Sequence, residues 1–418
     1  IRDGFLVVGF GWLVIALFGS LPYFFSGAIP SFTDAFFESM SGFTTTGASI
    51  LTNIEGLPKA LLFWRSFTHW VGGMGIIVLS LAILPMLGIG GMQLFKAEVP
   101  GPTADKLTPR VKNTAKILWI VYVGITATEV VFLMFGGMDW FDATCHSFAT
   151  MATGGFSTKN TSIAGFDSAY IDYVITFFMF VAGVNFALHY KFLIGKFNSY
   201  WKDFEFKTYL FMTVGVTFLI TFSNYISGVF SSLIDSFRYG LFQTVSIHTT
   251  TGFGTHDYEV WTPISQILIF ILMFIGGSAG STGGGMKVIR LIVVVKQGFI
   301  ELKKLLHPNA IIPLRVGNRV IPKEVSYSII GFFLLYILLF VFVSVIMALL
   351  GLDIVTAAGT SAACLGNIGP GLGNVGPTDN YAFIPAVGKW ILSISMMIGR
   401  LEIFTVLVIF TGGFWSKR

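Results

Sequence analysis

The sequence predicts an all-α polytopic membrane protein assembled from four tandem repeats. Three observations support this prediction. The 418 residues are 54% hydrophobic and only 11% charged, which is too little charge for the surface of a soluble domain. Apolar runs with the length of a membrane-crossing helix recur along the chain. Between these runs, a segment rich in glycine and threonine occurs four times.

The apolar runs predict about eight membrane spans. A helix needs about 20 apolar residues to cross roughly 30 Å of hydrocarbon, and most runs are close to that length. The runs are residues 5–25, 61–87, 117–135, 173–194, 209–225, 264–275, 329–350 and 390–410. The run at 264–275 is too short to cross alone, which marks the third repeat as unusual.

The charged residues predict which connections lie in the cytoplasm. Lys and Arg cluster at Arg2 and in residues 96–116, 191–207, 287–323 and 417–418, whereas the alternate connections carry mainly Asp and Glu. The positive-inside bias places the basic connections in the cytoplasm. No surface gathers the basic residues with interleaved aromatic residues, so we expect the lipid bilayer, and no nucleic acid, as a partner.

Each glycine segment lies between two apolar spans and marks one repeat. The segments are Thr44-Thr45-Thr46-Gly47-Ala48, Met151-Ala152-Thr153-Gly154-Gly155, Thr249-Thr250-Thr251-Gly252-Phe253-Gly254 and Gly366-Asn367-Ile368-Gly369-Pro370-Gly371. We align Gly47, Gly154, Gly252 and Gly369 as the central glycines.

A short helix is predicted before each glycine segment. The four helices are expected at residues 34–42, 142–151, 237–248 and 354–365, and each begins near an acidic residue, namely Asp34, Asp142, Asp235 or Asp353. A carboxylate complements the free amides and partial positive charge of a helix N-terminus. The opposite ends carry partial negative charge, so four such ends converging on one point would favour a cation there.

Two spans per repeat return the chain to the same side of the membrane, so all four glycine segments enter from outside. Re-entrant backbone is tolerated at membrane depth where protein buries it or where it lines a water-filled cavity. The sequence therefore predicts four helix–pore loop–helix repeats around a pseudo-fourfold pore axis. The predicted repeats are residues 1–91, 117–195, 208–298 and 325–418, and the cytoplasmic linkers are residues 92–116, 196–207 and 299–324.

The composition of the glycine segments suits a dehydrated cation of potassium size. Backbone carbonyls can replace the hydration shell of such an ion if the chain runs extended with every carbonyl turned to the axis, and glycine reaches the dihedral angles that this requires. Thr250-Thr251-Gly252-Phe253-Gly254 closely resembles the TVGYG filter of potassium channels. A single such segment also fits close helix packing, but four in register favour a filter. Asn367-Ile368 and Ala152 break the threonine pattern, which predicts looser selectivity than in a symmetric channel.

The chain resembles the membrane subunits of the Trk/Ktr/HKT potassium transporter superfamily, most closely the TrkH type. The resemblance covers essentially the whole chain. The matching residues are Arg2-Asp3-Gly4-Phe5, Ser41-Gly42-Phe43-Thr44-Thr45-Thr46-Gly47, Phe63-Trp64-Arg65-Ser66, His69-Trp70-Val71-Gly72-Gly73-Met74-Gly75, Gly91-Met92-Gln93-Leu94-Phe95-Lys96-Ala97-Glu98, Gly154-Gly155-Phe156-Ser157, residues 276–287 and Arg400-Leu401-Glu402.

The resemblance implies a potassium uptake protein of the bacterial cytoplasmic (inner) membrane. The implied potassium-binding residues are Thr45, Thr46, Gly47, Ala152, Thr153, Gly154, Thr250, Thr251, Gly252, Asn367, Ile368 and Gly369. It also implies a homodimer with one pore in each protomer, gated by a cytosolic regulatory subunit of the TrkA/KtrA type. ATP/ADP or NAD is expected on that subunit, and no covalent cofactor on this chain. Gly47 argues for potassium, since plant relatives that transport sodium carry a serine at the first filter glycine.

A gate is predicted in the third repeat, where residues 276–285 should break the second span because each glycine costs a helix about 1 kcal/mol relative to alanine. The resemblance favours an intramembrane loop, residues 276–286, that obstructs the cavity; a close helix-packing face is the alternative. The predicted gate residues are Gly276, Gly277, Ser278, Gly280, Ser281, Thr282, Gly283, Gly284, Gly285, Lys287 and Arg400. Arg400 either lies beneath the filter or pairs with Glu402 or Glu129.

The sequence is also compatible with other functions. A sodium- or proton-coupled symporter is one alternative, with Glu129 inside a span as a possible proton carrier, and a poorly selective K⁺/Na⁺ pore is another. A scaffold without transport is a third alternative. An enzyme is not expected, because the chain has no HExxH or GxSxG motif and no clustered carboxylates or histidines within the spans. His69 and His248 are expected to pack or to brace the filter, and Cys145 and Cys364 to be small buried residues.

Overall fold

The computed structural model describes residues 2–83, 107–317 and 319–416. Predictions that fall elsewhere, including the junction of the first repeat with its linker at residues 84–106, lie outside this part of the chain.

The described helices repeat one pattern four times: a long helix, a short helix and a second long helix or broken helix. In chain order they are α1 (Arg2–Phe25), α2 (Phe32–Phe43), α3 (Lys59–Ile83), α4 (Leu107–Phe135), α5 (Trp140–Met151), α6 (Ala169–Ala182), α7 (Phe186–Leu193), α8 (Ser199–Lys202), α9 (Phe204–Ile226), α10 (Leu233–His248), α11 (Pro263–Leu272), α12 (Val288–Leu306), α13 (Lys323–Leu349), α14 (Ile354–Leu365), α15 (Ala386–Arg400), α16 (Phe404–Leu407) and α17 (Gly412–Trp415). A two-stranded antiparallel hairpin, β1 (Arg315–Val316) with β2 (Arg319–Val320), precedes α13.

Several of these helices have the length and composition of membrane spans. Among the described residues they are Gly4–Phe25, Asn113–Phe135, Phe204–Ile226 and Lys323–Leu349, to which the bent pairs α6 with α7 and α15 with α16 add two if each pair is one span. Helix α11 has only 10 residues, as its short apolar run predicts. The predicted fold class, an all-α membrane protein of four repeats, is confirmed.

Two spans predicted as continuous are broken. The predicted span at 173–194 bends by 101° between α6 and α7, and the one at 390–410 bends by 111° between α15 and α16. The first bend has a local cause, since the Asn185 side chain accepts a hydrogen bond from the Ala187 amide and starts a new helix there. At the second bend, Glu402 and Ile403 have φ angles of 60° and 49°, which an α-helix excludes.

The short helices begin earlier than predicted, except for α14. Their caps are Ser31, Asp139, Ser232 and Asp353, and each cap side chain accepts a hydrogen bond from an amide of the first turn. Asp34, Asp142 and Asp235 lie within that turn, where their charge complements the helix dipole. The Thr356 hydroxyl and the adjoining amides lower the pKa of Asp353, which keeps this cap ionised.

Side chains are distributed for a hydrocarbon surrounding. Phe18, Phe211 and Phe342 are each more than 60% exposed on the long helices, whereas Thr217 and Gln243 are buried. A lipid-facing surface has no water to solvate polar groups, so polar side chains turn inward. Among the buried polar residues are Ser41, Thr150 and His248, near the C-terminal ends of α2, α5 and α10, and Asn367, just after α14.

Candidate functional site

All four short helices end in the same backbone motif. After the cap residue, the next residue adopts the left-handed conformation, with φ of 52° to 61° at Thr45, Thr153, Thr250 and Asn367. The amide of the residue after that bonds five residues back, to Ser41, Ala149, Ser246 and Ala363 in turn. This is a Schellman motif with a non-glycine residue at its left-handed position.

The left-handed residues are buried and strained. The conformation costs about 1–2 kcal/mol at a residue with a Cβ, although Asn tolerates it better than Thr. Thr45, Thr153, Thr250 and Asn367 are all 0% exposed. Strain of this kind persists where the surrounding structure over-determines it, and it is concentrated at functional sites.

The backbone corrects the predicted register of the second repeat. A glycine follows the left-handed residue by two positions in each repeat, with positive φ at Gly47, Gly155, Gly252 and Gly369. The prediction aligned Gly154, but Gly154 takes the place of Thr46, Thr251 and Ile368. Ala152, predicted as a binding residue, is the cap of α5 and corresponds to Thr44. Two adjacent glycines made the sequence alignment ambiguous, and the φ angles resolve it.

The four glycines close a ring of contacts, each from one segment to the next. A Cβ placed on Gly47 would overlap the carbonyl of Gly154, one on Gly155 the carbonyl of Thr251, and one on Gly252 that of Ile368. A Cβ on Gly369 would lie 2.7 Å from the carbonyl oxygen of Thr46, which returns to the first segment. The four segments therefore meet around one axis, and the glycines permit both the φ angles and the close approach.

The paired threonine hydroxyls occur in two of the four segments, so the side chains of the ring do not follow a fourfold symmetry. The hydroxyls of Thr44 and Thr46 lie 2.8 Å apart, and those of Thr249 and Thr251 lie 2.7 Å apart. The corresponding positions of the second and fourth repeats have no hydroxyl. The Asn367 amide instead donates to the Thr46 hydroxyl at 3.0 Å, which links the fourth segment to the first.

Not every carbonyl of the segments is turned to the axis. The Gly369 carbonyl accepts a hydrogen bond from the Tyr381 hydroxyl at 2.6 Å, and the Phe253 carbonyl accepts one from Ser246 at 2.7 Å. The expectation that all of them face the axis is therefore wrong for these two. Such bonds hold the extended backbone from outside the ring.

A buried ion pair braces the first two segments, and the site predictions missed it. Arg65 Nε donates to Glu38 Oε1 at 2.6 Å, and both side chains are almost fully buried. Glu38 also accepts from Ser49 and from the Ile50 amide, while Arg65 donates to the Ser157 carbonyl at 2.8 Å. Two charged residues inside otherwise apolar helices were the signal that could have found this pair.

The histidines and cysteines behave as the sequence predicts. His69 Nδ1 lies 2.7 Å from the Gly42 carbonyl and its ring stacks on Phe156, beside the second segment. His248 Nδ1 lies 2.9 Å from the Thr213 hydroxyl. Cys145 and Cys364 are fully buried. Within the described ranges, no three His, Cys, Asp or Glu side chains are grouped as metal ligands.

The two ends of the glycine-rich loop between α11 and α12 are hydrogen-bonded to each other. The Gly276 amide donates to the Met286 carbonyl at 2.9 Å, and the Val288 amide to the Gly277 carbonyl at 3.3 Å. The loop also bonds to the break between α6 and α7, where the Ser278 amide donates to the Gly183 carbonyl at 2.8 Å. Gly280, Ser281, Gly283 and Gly285 complete the turn of the loop.

The loop lies directly against the ends of α10 and α14. The Gly284 amide donates to the Thr250 hydroxyl at 2.6 Å. A Cβ on Gly284 would lie 2.6 Å from the Gly366 carbonyl oxygen, and one on Gly283 would lie 3.0 Å from that of Thr249. These are the residues at which the third and fourth segments leave their helices, so the loop and the ring are in contact.

Two buried cations hold this loop. The Lys287 ammonium donates to the Gly283 carbonyl and contacts that of Gly284. Arg400 Nη1 donates to the Thr282 carbonyl at 2.7 Å, and Nη2 to that of Gly72 at 3.4 Å. Arg400 therefore bridges the loop and α3.

The alternative partners predicted for Arg400 are not used. Glu402 is paired with Arg290, which also stacks 3.9 Å from the centre of the Phe332 ring. Among the described residues, neither carboxylate oxygen of Glu129 has a hydrogen-bond partner.

Comparisons with known proteins identify the family of this chain. The model of the TrkH family, described as cation transport protein, matches residues 1–417. The chain is 46% identical to the Trk system potassium uptake protein TrkH of Escherichia coli (strain K12), over 100% of this chain and 86% of that protein. It is 36% identical to the Trk system potassium uptake protein TrkG of the same strain, with the same coverage.

A solved structure shares the fold. The crystal structure of the potassium transporter TrkH from Vibrio parahaemolyticus matches with a TM-score of 0.92 and 43% sequence identity, over 100% of this chain and 86% of that one. Since the family model and these relatives match essentially the full length of the chain, the protein belongs to the TrkH family of cation transport proteins.

Proposed function

We propose that this chain takes up potassium across the bacterial cytoplasmic membrane through a pore on the axis of its four glycine segments. The ring of glycine–carbonyl contacts from Gly47 round to Gly369 is the observation that carries the proposal. Four backbone segments that touch in a closed ring can surround one dehydrated cation with oxygen ligands. Membership of a cation transport family argues against an enzyme.

The proposed potassium-binding segments follow the corrected register. They are Thr45-Thr46-Gly47, Thr153-Gly154-Gly155, Thr250-Thr251-Gly252 and Asn367-Ile368-Gly369. Four helix C-termini end at this ring, and the partial negative charge of each favours a cation there. The proposal leaves out Ala152, because it is the C-terminal cap of α5.

The proposed gate is the loop of residues 276–286 with Lys287 and Arg400. The loop contacts the helix ends at Thr249 and Gly366, where it obstructs the path that leaves the ring. Arg400 places a buried positive charge beside the same path and binds the loop through Thr282. A fixed cation in low dielectric raises the electrostatic barrier for a passing cation.

Regulation is proposed to come from a cytosolic subunit of the TrkA/KtrA type, with ATP/ADP or NAD on that subunit, acting on a homodimer of this chain. The far end of α12 supports a docking role, because Phe299, Leu302, Leu305 and Leu306 are all more than half exposed there. The relatives are named as proteins of a Trk system.

Uptake of rubidium tracer into liposomes containing the purified chain tests the function directly. Growth of a strain deficient in potassium uptake, at low potassium, tests it in the cell. We expect uptake and growth rescue from the wild type, and reduced uptake from Gly252→Ala. Folded, membrane-inserted protein without uptake in either assay would refute the proposal.

The gate has its own test. Deleting residues 278–283, or changing Arg400→Ala, should raise uptake in liposomes without a regulatory subunit, because each change removes part of the obstruction. Arg400→Lys keeps the charge but not the planar fork that bonds Thr282 and Gly72, so its uptake should lie between the wild type and Arg400→Ala. Unchanged uptake in both the deletion and the Ala variant would remove the gating role.

A proton-coupled symporter is the second candidate, and Glu129 is the observation that favours it. This carboxylic acid is fully buried within the membrane-spanning helix α4, and an ionisable residue at such a position is a candidate proton carrier. Reversal potentials measured under a pH gradient separate the two: a passive pore follows the potassium gradient alone. Sodium coupling and a poorly selective K⁺/Na⁺ pore are tested by the same measurement under sodium gradients.

A further inference from the structure

Glu205 is a buried carboxylate outside the proposed filter and gate residues. It lies in the first turn of α9 and is 9% exposed. Its position beside the base of the glycine-rich loop gives it contacts that a helix-surface carboxylate would not have.

One oxygen of Glu205 is hydrogen-bonded both to the loop and to the helix that follows it. Glu205 Oε1 accepts a hydrogen bond from the Ala279 amide, inside the loop, at 2.8 Å. The same oxygen accepts one from the Ile289 amide, in the first turn of α12, at 3.1 Å. The α12 cap residue, Lys287, makes no capping bond with its side chain, so Glu205 supplies that cap from another helix.

We propose that Glu205 is a latch that keeps the glycine-rich loop in its obstructing position. This rests on the proposed function of the loop as a gate. Capping α12 requires only the bond to Ile289, whereas the bond to Ala279 fastens the loop itself. Glu205 is thus a positioning residue that acts on ion flow through the loop.

Geometry explains why the latch must open with the gate. If the loop straightened so that α11 and α12 formed one helix, Ala279 and Ile289 would lie about 15 Å apart along its axis. A single oxygen could not then bond both amides. Any movement of this kind breaks one of the two bonds, and charge-assisted bonds to a buried carboxylate are the stronger class of hydrogen bond.

The ends of the loop are held by two different side chains. The Glu205 carboxylate accepts from an amide at the N-terminal end of α12, where the helix dipole is positive. Because Lys287 also binds the loop carbonyl of Gly283, the two side chains fasten opposite ends of the same loop. An opening movement of the loop must therefore break contacts that these two side chains make with it.

The test compares Glu205→Ala and Glu205→Gln with Asp203→Asn in liposomes without a regulatory subunit. Asp203 caps the same helix by accepting from the Phe206 amide at 2.8 Å, so its variant controls for changes in α9. We expect rubidium uptake to rise roughly tenfold or more in Glu205→Ala, the change expected from losing a charge-assisted hydrogen bond. Glu205→Gln should rise less, because its amide oxygen still accepts, and Asp203→Asn should match the wild type.

A second measurement reports loop position without relying on uptake. Ser281→Cys introduces a thiol into the loop, and the native Cys145 and Cys364 are fully buried. The rate of maleimide labelling in detergent should rise when Glu205→Ala is added to Ser281→Cys. A stable, folded Glu205→Ala protein with wild-type uptake and unchanged labelling would overturn the latch.

The outcomes separate the latch from the gate. If deleting residues 278–283 raises uptake but Glu205→Ala changes neither uptake nor labelling, the gate stands and the latch fails. If the deletion has no effect on uptake, the gate fails, and labelling alone decides whether Glu205 holds the loop. If Glu205→Ala raises uptake even in the deletion background, its effect does not pass through the loop and the latch is wrong.

Discussion

A pair of glycines in the fourth repeat allows the ring contact to be tested against a matched control. Gly369 has a φ of 96° and Gly351 a φ of 95°, so alanine is equally strained at both. At Gly351 a Cβ would meet nothing within 4 Å. At Gly369 it would lie 2.7 Å from the Thr46 carbonyl oxygen and 2.9 Å from the Gly47 carbonyl carbon.

The expected loss of ion binding in Gly369→Ala follows from these distances. To restore an ordinary contact of 3.4 Å, the Thr46 oxygen would have to retreat by 0.7 Å and the Gly47 carbon by 0.5 Å. Both are backbone atoms in the ring, so the displacement falls on the proposed ion ligands. Overpacking costs about 1–3 kcal/mol, and if that cost falls on ion binding it corresponds to roughly a 5- to 150-fold loss.

The assay is rubidium and sodium uptake into liposomes by Gly369→Ala and Gly351→Ala. Gly369→Ala should take up rubidium roughly 5- to 150-fold more weakly than the wild type and should discriminate less well against sodium. Gly351→Ala should keep both properties, with only the loss of stability that the shared strain imposes. Equal uptake and equal ion preference in two well-folded variants would refute the idea that the glycine ring sets the ion ligands.

Two further predictions concern stability in detergent. Glu38→Gln should lower the free energy of unfolding by about 3–5 kcal/mol, because it leaves Arg65 buried without its partner charge. Glu301→Gln, in an exposed pair with Lys304, should leave the free energy of unfolding nearly unchanged. Asp353→Ala should cost about 1 kcal/mol at neutral pH, because it removes the cap of α14. Since the folded-state pKa of Asp353 is lowered, that difference is complete above the ordinary carboxyl pKa and fades as the pH falls through the lowered value.

Thermal unfolding followed over a pH series measures both effects. Similar losses for Glu38→Gln and Glu301→Gln would show that burial of the ion pair is not what matters. A deficit in Asp353→Ala that stays constant from neutral to strongly acidic pH would exclude an ionised cap.

The loop shows how far sequence reasoning reaches. Six glycines among residues 276–285 predict a break in a span, because glycine lowers helix stability whatever surrounds it. The break lies where predicted, between α11 and α12. The contacts of Glu205 with Ala279 and Ile289 join residues far apart in sequence, and no local sequence pattern predicts them.

The second repeat shows the limit most clearly. Gly154 and Gly155 are chemically identical neighbours, so composition cannot decide which one aligns with Gly47. The choice depends on φ and on which neighbouring carbonyl each glycine approaches, and both are set by packing between repeats. The bends after Ala182 and Arg400 were missed for a similar reason, since the apolar residues on either side look continuous.

The sequence by itself determined the membrane class, the four repeats, the short helices and the interrupted third span. These follow from hydropathy, helix length and glycine content, which act over a few neighbouring residues. Only the tertiary structure decided the register of the ring, the partners of Arg400 and the buried pairs of Glu38 and Glu402. Those features depend on which distant residues share a water-free interior, where each polar group takes the partner that packing brings within reach.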